Sequence, residues 1–237
     1  MTSIKDSKKY NVIGTRPVRP DGTDKVTGRA LYGADFEMAG LLHGKILRSP
    51  HPHARIKSIN FDEALKIDGV LAVVTSKDLP DNPDGISSIA YGRGNILAKD
   101  KVLYVGHAIA GVAAIDPHTA EEALEAIKVE YEILSPSLSV EEAMDNSSEI
   151  IHENAFMKEF GEMTTTNNNI DEHFQHKMGN VSKGFEEADL VVEGKYSTVM
   201  VHQGYIEPHA ATALWKADGT ITVWNSTQGS FPDRDEM

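Results

Sequence analysis

Four short stretches carry side chains able to do chemistry. In "HQGYIEPHAA", His202, Glu207 and His209 place two imidazoles and a carboxylate close together. These are ligand types used by zinc and iron, and a metal held there would support a small metal-dependent hydrolase. The "HPH" of His51 and His53 offers the same ligand chemistry, but the two residues flank Pro52 and read as loop residues. "YGRGN", Tyr91 to Asn95, has the glycines of a phosphate cradle; no strand-to-helix context surrounds it, so it reads as a loop. Ser226-Thr227-Gln228-Gly229 follows an alternating run and, by residue type, reads as a polar turn leaving a strand.

Composition narrows the classes. The 237 residues carry 36 acids against 23 bases, a net charge of −13, which argues against a phosphate-tracking surface and so against nucleic acid as a partner. There is no cysteine, which removes disulfides, cysteine-ligated iron–sulfur clusters and thiol catalysis from this chain. Met1 to Asp6 lacks the apolar core of a signal peptide, and no run approaches the ~20 apolar residues that span a bilayer. The expectation is a cytoplasmic protein with no membrane contact. With 40% hydrophobic residues, the chain is long enough for one large domain or two small ones.

The elements that must position these residues fall into an ordered part, a polar middle and a second ordered part. Residues 1–42 are rich in Gly, Pro, Arg and Asp and read as extended chain and turns. His43 to Ser49, Arg55 to Phe61, Gly69 to Thr75 and Ala108 to Ile115 are β-rich runs, the last apolar enough for a central strand. Asp116 and Pro117 begin a helix with Ala120, Ala123, Leu124 and Ile127 on one face. In Lys128 to Ile133 the alternation predicts Val129, Tyr131 and Ile133 facing a core. Residues 1–145 therefore read as an α+β domain, and 146–180, with "TTTNNNIDEHFQHKMG", as a polar surface connection. From 181 on, Ser182 caps a short helical turn and Val191 to Val201 reads as a long strand. A hairpin then pairs Ala210 to Trp215 with Thr220 to Asn225 across Asp218-Gly219, and Phe231 to Glu236 begins a helix. So few residues are expected to form an incomplete domain with apolar surface to cover.

Taken in order, "GTRPVRPDGTDKVTGRALYGADF", "GKILRSPHPHARIKSIN", "GVLAVVTSKDLP", "VGHAIAGVAAIDPHTAEEALEAIKVEYEILSPSLSVEEAM" and "IEPHAATALW" with "ITVWNSTQGSF" carry a resemblance over nearly the whole chain. They resemble the N-terminal part of the large subunit of the molybdenum hydroxylases, the family of xanthine dehydrogenase, aldehyde oxidoreductase, nicotinate dehydrogenase, carbon monoxide dehydrogenase and 4-hydroxybenzoyl-CoA reductase. The implied fold is an α/β hammerhead-like domain followed by the β-rich start of a molybdenum-cofactor-binding domain, here 181–237. By the same resemblance, Met237 is expected to mark an interrupted gene, an engineered end or a natural split into two polypeptides.

The resemblance implies a molybdenum–molybdopterin dinucleotide, in the cytosine form, that hydroxylates a carbon with oxygen from water; one relative works reductively. The base glutamate and the pterin phosphate loops belong to later segments, so this chain alone is expected to be inactive. Its partners are then the C-terminal remainder of the large subunit, an iron–sulfur small subunit with 2Fe–2S clusters, and a subunit carrying FAD. Gln228 matches the family glutamine that donates its side-chain amide to an oxygen ligand of the metal. A carboxamide does this without the desolvation cost of a buried cation. Gly229 and Phe231 fall beside the cofactor, Glu207 borders the substrate region, and His51 and His53 fall in a loop at a subunit contact. Two other readings stand beside this one: a hammerhead-like interaction module without catalysis, and the hydrolase built on His202, Glu207 and His209.

Overall fold

A computed structural model describes residues 10–79, 95–153 and 155–236, so Tyr91 to Gly94 of the "YGRGN" stretch lie outside the described residues. The chain opens with helix α1 (Gly22–Thr27) and a 3-10 turn at Gly33–Asp35. Strands β1 (His43–Arg48), β2 (Ala54–Asn60) and β3 (Val70–Thr75) follow, with 3-10 turns at Ala64–Lys66 and Ser76–Asp78. Next come β4 (Lys101–Val102), β5 (Ala108–Ala114), helix α2 (Pro117–Ala126), β6 (Lys128–Ile133) and α3 (Val140–Met144). Short strands β7 (Lys158–Glu159), β8 (Glu162–Met163) and β9 (Glu172–His173) precede α4 (Val181–Glu187). The hairpin β10 (Ala211–Trp215) and β11 (Ile221–Asn225) leads into α5 (Ser230–Glu236). This is the mixed helix and strand content of an α+β protein.

The chain divides into two compact units, 39–198 and 1–38 with 199–237. In the first, β5 is the central strand of the antiparallel sheet β1-β5-β3, and β2 is the centre of β4-β2-β6. Alternation along β5 sends Ala110, Val112 and Ala114 to one face, where they pack with Ala64, Ala120, Ala123 and Ile127. Ile109 points the other way, into a second cluster with Ala54, Ala98 and Val102. One strand thus contributes to both cores. Alanines on the meeting surfaces of α2 and β5 allow close approach of the two backbones.

Helix α2 begins as its sequence dictates. The Asp116 carboxylate accepts from the Thr119 backbone N–H at 2.8 Å and from the Thr119 hydroxyl at 2.8 Å, and Pro117 occupies the first turn. These bonds hold the Asp116 carboxyl below its ordinary value. The strand-to-helix corner also needs Gly69: its φ is +91°, and a Cβ there would sit 2.8 Å from the Ile115 side chain.

Four local expectations are corrected. First, Asn180 and not Ser182 caps α4, its side-chain oxygen accepting from the Lys183 N–H at 3.0 Å. Residues 1–42 are not wholly irregular, because α1 forms one helical turn, with Asp21 paired to Lys25 at 2.9 Å and Gly28 closing it in the left-handed region. Val191 to Val201 is not a strand: it is rich in β-forming Val, Tyr and Thr, but no described strand lies alongside to pair its backbone. Ile133 is 68% exposed, unlike half-buried Val129 and Tyr131, since β6 ends there at the edge of its sheet.

Ile109→Ala, which empties a fully buried site shared between two sheets, should lower stability by about 2–5 kcal/mol in urea unfolding. A change near zero would show that the second cluster is not packed as described. Because the Asp116 carboxyl is lowered on folding, the stability it contributes is present above the ordinary carboxylate range and is lost as pH falls through the lowered folded value. Asp116→Asn keeps a capping side chain. Its unfolding midpoint should therefore depend less steeply on pH in that acid window than the wild type's.

Candidate functional site

The smaller unit is assembled from sequence-distant pieces. Gly33 lies against the end of β10, where a Cβ would come within 3.0 Å of the Ala210 carbonyl oxygen. The turn that carries it is closed by Asp35, whose carboxylate accepts from the Tyr32 backbone N–H at 2.8 Å. Three residues beyond Gly33, the Phe36 ring meets the Trp224 ring at 4.7 Å between centroids. An open cleft of about 700 Å³ lies here, lined by Tyr32, Phe36, Trp224, Glu207, Thr227 and Arg234 among others.

Two side chains fasten the stretch that leaves β11. The Ser226 hydroxyl accepts from the Ala210 backbone N–H at 3.0 Å and points its own proton toward the carbonyls of Ala210 at 3.2 Å and Pro208 at 3.3 Å. Asn225 donates its amide to the Asp233 carboxylate at 2.7 Å, tying the strand end to α5. Within the turn, the Gly229 N–H donates to the Thr227 hydroxyl at 3.0 Å, and the Gly229 carbonyl accepts from the Asp233 N–H at 3.2 Å. A Cβ on Gly229 would press on the Pro232 ring at 3.3 Å.

Gln228 sits in the bend held by these anchors. It is exposed, and its carboxamide makes no hydrogen bond to the described residues. Phe231 is 72% exposed on α5, with the Arg234 guanidinium 5.4 Å from its ring centroid. Glu207 reaches the same cleft as Thr227, because the Ser226 hydroxyl bonds the backbone just after it. A free neutral donor on a fixed bend, with a glycine beside it, fits an oxygen-rich group. Sequence reading passed over Ser226, Asn225 and Asp233 as anchors, although a hydroxyl directly after an alternating run was the available signal. Phe36 had no local signal, since its contact crosses most of the chain.

The histidines are otherwise engaged. His202 Nδ1 accepts from the Gly204 N–H at 3.0 Å and its ring packs on Tyr205, while Tyr205 meets His209 Nε2 at 2.5 Å. In the larger unit His53 is buried and donates from Nδ1 to the Ser135 carbonyl at 2.8 Å. His51 sets its ring against Tyr131. Among the described residues, no group of three or more His, Cys, Asp or Glu is placed to hold a metal ion. A hydrolase centred on His202, Glu207 and His209 is not favoured, nor is a module without catalysis. No helix of the described residues is long and apolar enough to cross a membrane.

Residues 27–135 match the family model of the aldehyde oxidase and xanthine dehydrogenase a/b hammerhead domain, and residues 162–237 that of the molybdopterin cofactor-binding domain. The chain is 37% identical over 222 residues to a probable xanthine dehydrogenase subunit of Bacillus subtilis, covering 93% of this chain and 28% of that protein. It is 36% identical over 230 residues to the nicotinate dehydrogenase large molybdopterin subunit of Eubacterium barkeri, covering 97% of this chain and 51% of that relative. The reconstituted CO dehydrogenase from Oligotropha carboxidovorans superimposes with a TM-score of 0.78 at 27% identity, over 94% of this chain and 28% of that one. The chain therefore spans about half or less of the length of these relatives. With both family models matched in succession, and large-subunit relatives aligned along nearly all of it, the chain belongs to the molybdenum hydroxylase family, as the N-terminal part of the molybdopterin-binding large subunit.

Proposed function

We propose that this chain works as one part of a molybdenum-dependent hydroxylase or dehydrogenase acting on an aromatic, heteroaromatic or aldehyde-type substrate, and that it contributes Gln228 to the cofactor site. The observation that carries the reading is an exposed carboxamide with no hydrogen-bond partner among the described residues, on a bend anchored from both sides, inside the span that matches the cofactor-binding domain. The bound molybdenum–pterin group, proposed as the cytosine dinucleotide, supplies the two-electron redox chemistry. Gln228 would hold it by donating from the side-chain amide to one of its oxygens, Gly229 would keep the approach open, and Phe231 would pack beside it. Glu207 lines the cleft beside Thr227, which Gln228, Gly229 and Phe231 do not line, and would border the substrate there. The working assembly is proposed to add the C-terminal remainder of the large subunit, a 2Fe–2S subunit and an FAD subunit, in the cytoplasm. Within it, 1–145 form the hammerhead-like domain, 146–180 the connection and 181–237 the start of the cofactor-binding domain. This chain alone is inactive in that scheme.

Surface character supports the need for a partner. Val199, Val201 and Ile206 are 81%, 74% and 98% exposed, a density of large apolar groups that favours covering. Native mass spectrometry of the chain expressed with its gene neighbours should find it in a heteromeric complex, and protease cleavage within 188–206 should slow on assembly. A monomer cleaved there at an unchanged rate would count against the assembly.

Gln228 has its own test in the assembled enzyme. Loss of one preorganised donor typically costs ~10²–10³ in rate, so Gln228→Ala should cut turnover per molybdenum by that order while cofactor content holds. Gln228→Glu should be worse, because it sets an anion against an oxygen-rich group. Wild-type turnover in both variants would leave the "STQG" bend as a turn without a catalytic part.

A further inference from the structure

We propose that Ser226 is the positioning residue of this site, the pin that holds the Gln228 bend and the Glu207–Pro208 segment in one fixed relation. The antiparallel ladder between β10 and β11 ends at the pair Ala211 and Asn225. One residue further, the backbone must leave the ladder to enter the bend, yet Ala210 still has an N–H and a carbonyl to satisfy. Ser226 meets both needs. Its backbone N–H donates to the Ala210 carbonyl at 3.1 Å, and its hydroxyl takes the Ala210 N–H at 3.0 Å, so the side chain replaces the acceptor that the next rung would have supplied.

The hydroxyl has one proton, shared between the Ala210 carbonyl at 3.2 Å and the Pro208 carbonyl at 3.3 Å. The second of these contacts reaches past the hairpin. Pro208 cannot donate to a ladder and follows Glu207 directly, so the Ser226 hydroxyl adds a tie from the start of the bend to that segment through the Pro208 carbonyl. A residue without a hydroxyl leaves the Ala210 N–H without this acceptor and the Pro208 carbonyl without this donor. On the far side of the bend, the Asn225 amide on Asp233 holds the other end. With both ends fixed, four residues, Ser226 to Gly229, span the gap and Gln228 projects from their middle.

The pinning role of Ser226 goes beyond the role proposed for Gln228 and follows from the chain alone. Hydrogen exchange of the purified chain is followed at Ala210 and Gly229, whose N–H groups are hydrogen-bonded at the bend, with β5 amides as the control for global unfolding. Ser226→Ala should speed exchange at those positions by about three- to tenfold, the loss of roughly one hydrogen bond, while β5 amides are unchanged. Ser226→Thr, which keeps the hydroxyl, should restore wild-type protection. In the assembled enzyme, Ser226→Ala should lower kcat with KM held and Ser226→Thr should recover it. Exchange in Ser226→Ala equal to wild type would overturn the proposal, and so would failure of Ser226→Thr to rescue an accelerated bend. Because the exchange arm needs no cofactor, it can succeed even where Gln228→Ala leaves turnover untouched, which separates this proposal from the one above.

Discussion

Strand Ala108–Ala114 is hydrogen-bonded along both edges and packed on both faces, and the larger unit is arranged around it. The strand is built almost wholly of Ala and Gly, with Ile109 and Val112 as its two large side chains. Small residues are poor at burying area, so their value here is distance: they let α2 seat Ala120 and Ala123 directly on the sheet. Leu47, Ile59 and Val129 then fill the edges of both clusters and join the two sheets. At the rim, Glu153 receives Arg55 at 2.8 Å and Lys101 at 3.1 Å, which lowers its carboxyl and clasps the polar connection to the sheet edge. That clasp is a surface feature and adds little beside the buried strand.

The smaller unit follows a different rule. A two-stranded hairpin is at best marginal on its own, because it has only one pair of edges satisfied and little area to bury. Here the added surface comes from the start of the chain, through Phe36 on Trp224 and the close seat of Gly33 on Ala210. Order around the bend is set by directional bonds from Ser226, Asn225 and Asp233 more than by burial. This matters for function, since a bend inside a hydrophobic core could not present a free carboxamide.

Periodicity made most of the larger unit legible. β-rich runs marked β1, β2, β3 and β5, and alternation marked β6, to within a residue or so, and the Asp116-Pro117 start with its apolar face marked α2. Asp218-Gly219 located the hairpin turn, where the Asp218 carboxylate accepts from both the N–H and the hydroxyl of Thr220. What failed, failed for a common reason. Val191 to Val201 has the Val, Tyr and Thr content of a strand, but a strand is defined by its neighbour, and composition says nothing of whether one is present. Ile133 was misplaced because position within a sheet, not local pattern, decides whether the last residue is covered. By sequence Ser226 reads as turn chemistry, Asn225 as a strand end and Asp233 as a helix start, since their partnerships with Pro208, Ala210 and each other become visible only when the chain is folded.

The balance between these two kinds of order bears on how tightly a group could be held at the bend. A binding loop that must first fold loses backbone freedom worth roughly 1–2 kcal/mol for each residue ordered. From Ser226 to Gly229 that cost is already met in folding, by bonds running to both neighbouring elements. Only the exposed Gln228 side chain would remain to be ordered, a cost of at most about 2 kcal/mol for a long polar side chain. A carboxamide so placed can turn to meet an oxygen without moving the backbone beneath it. On the proposed reading, the anchors would therefore govern how reproducibly the donor is aimed, and Gln228 itself would govern whether there is a donor to aim.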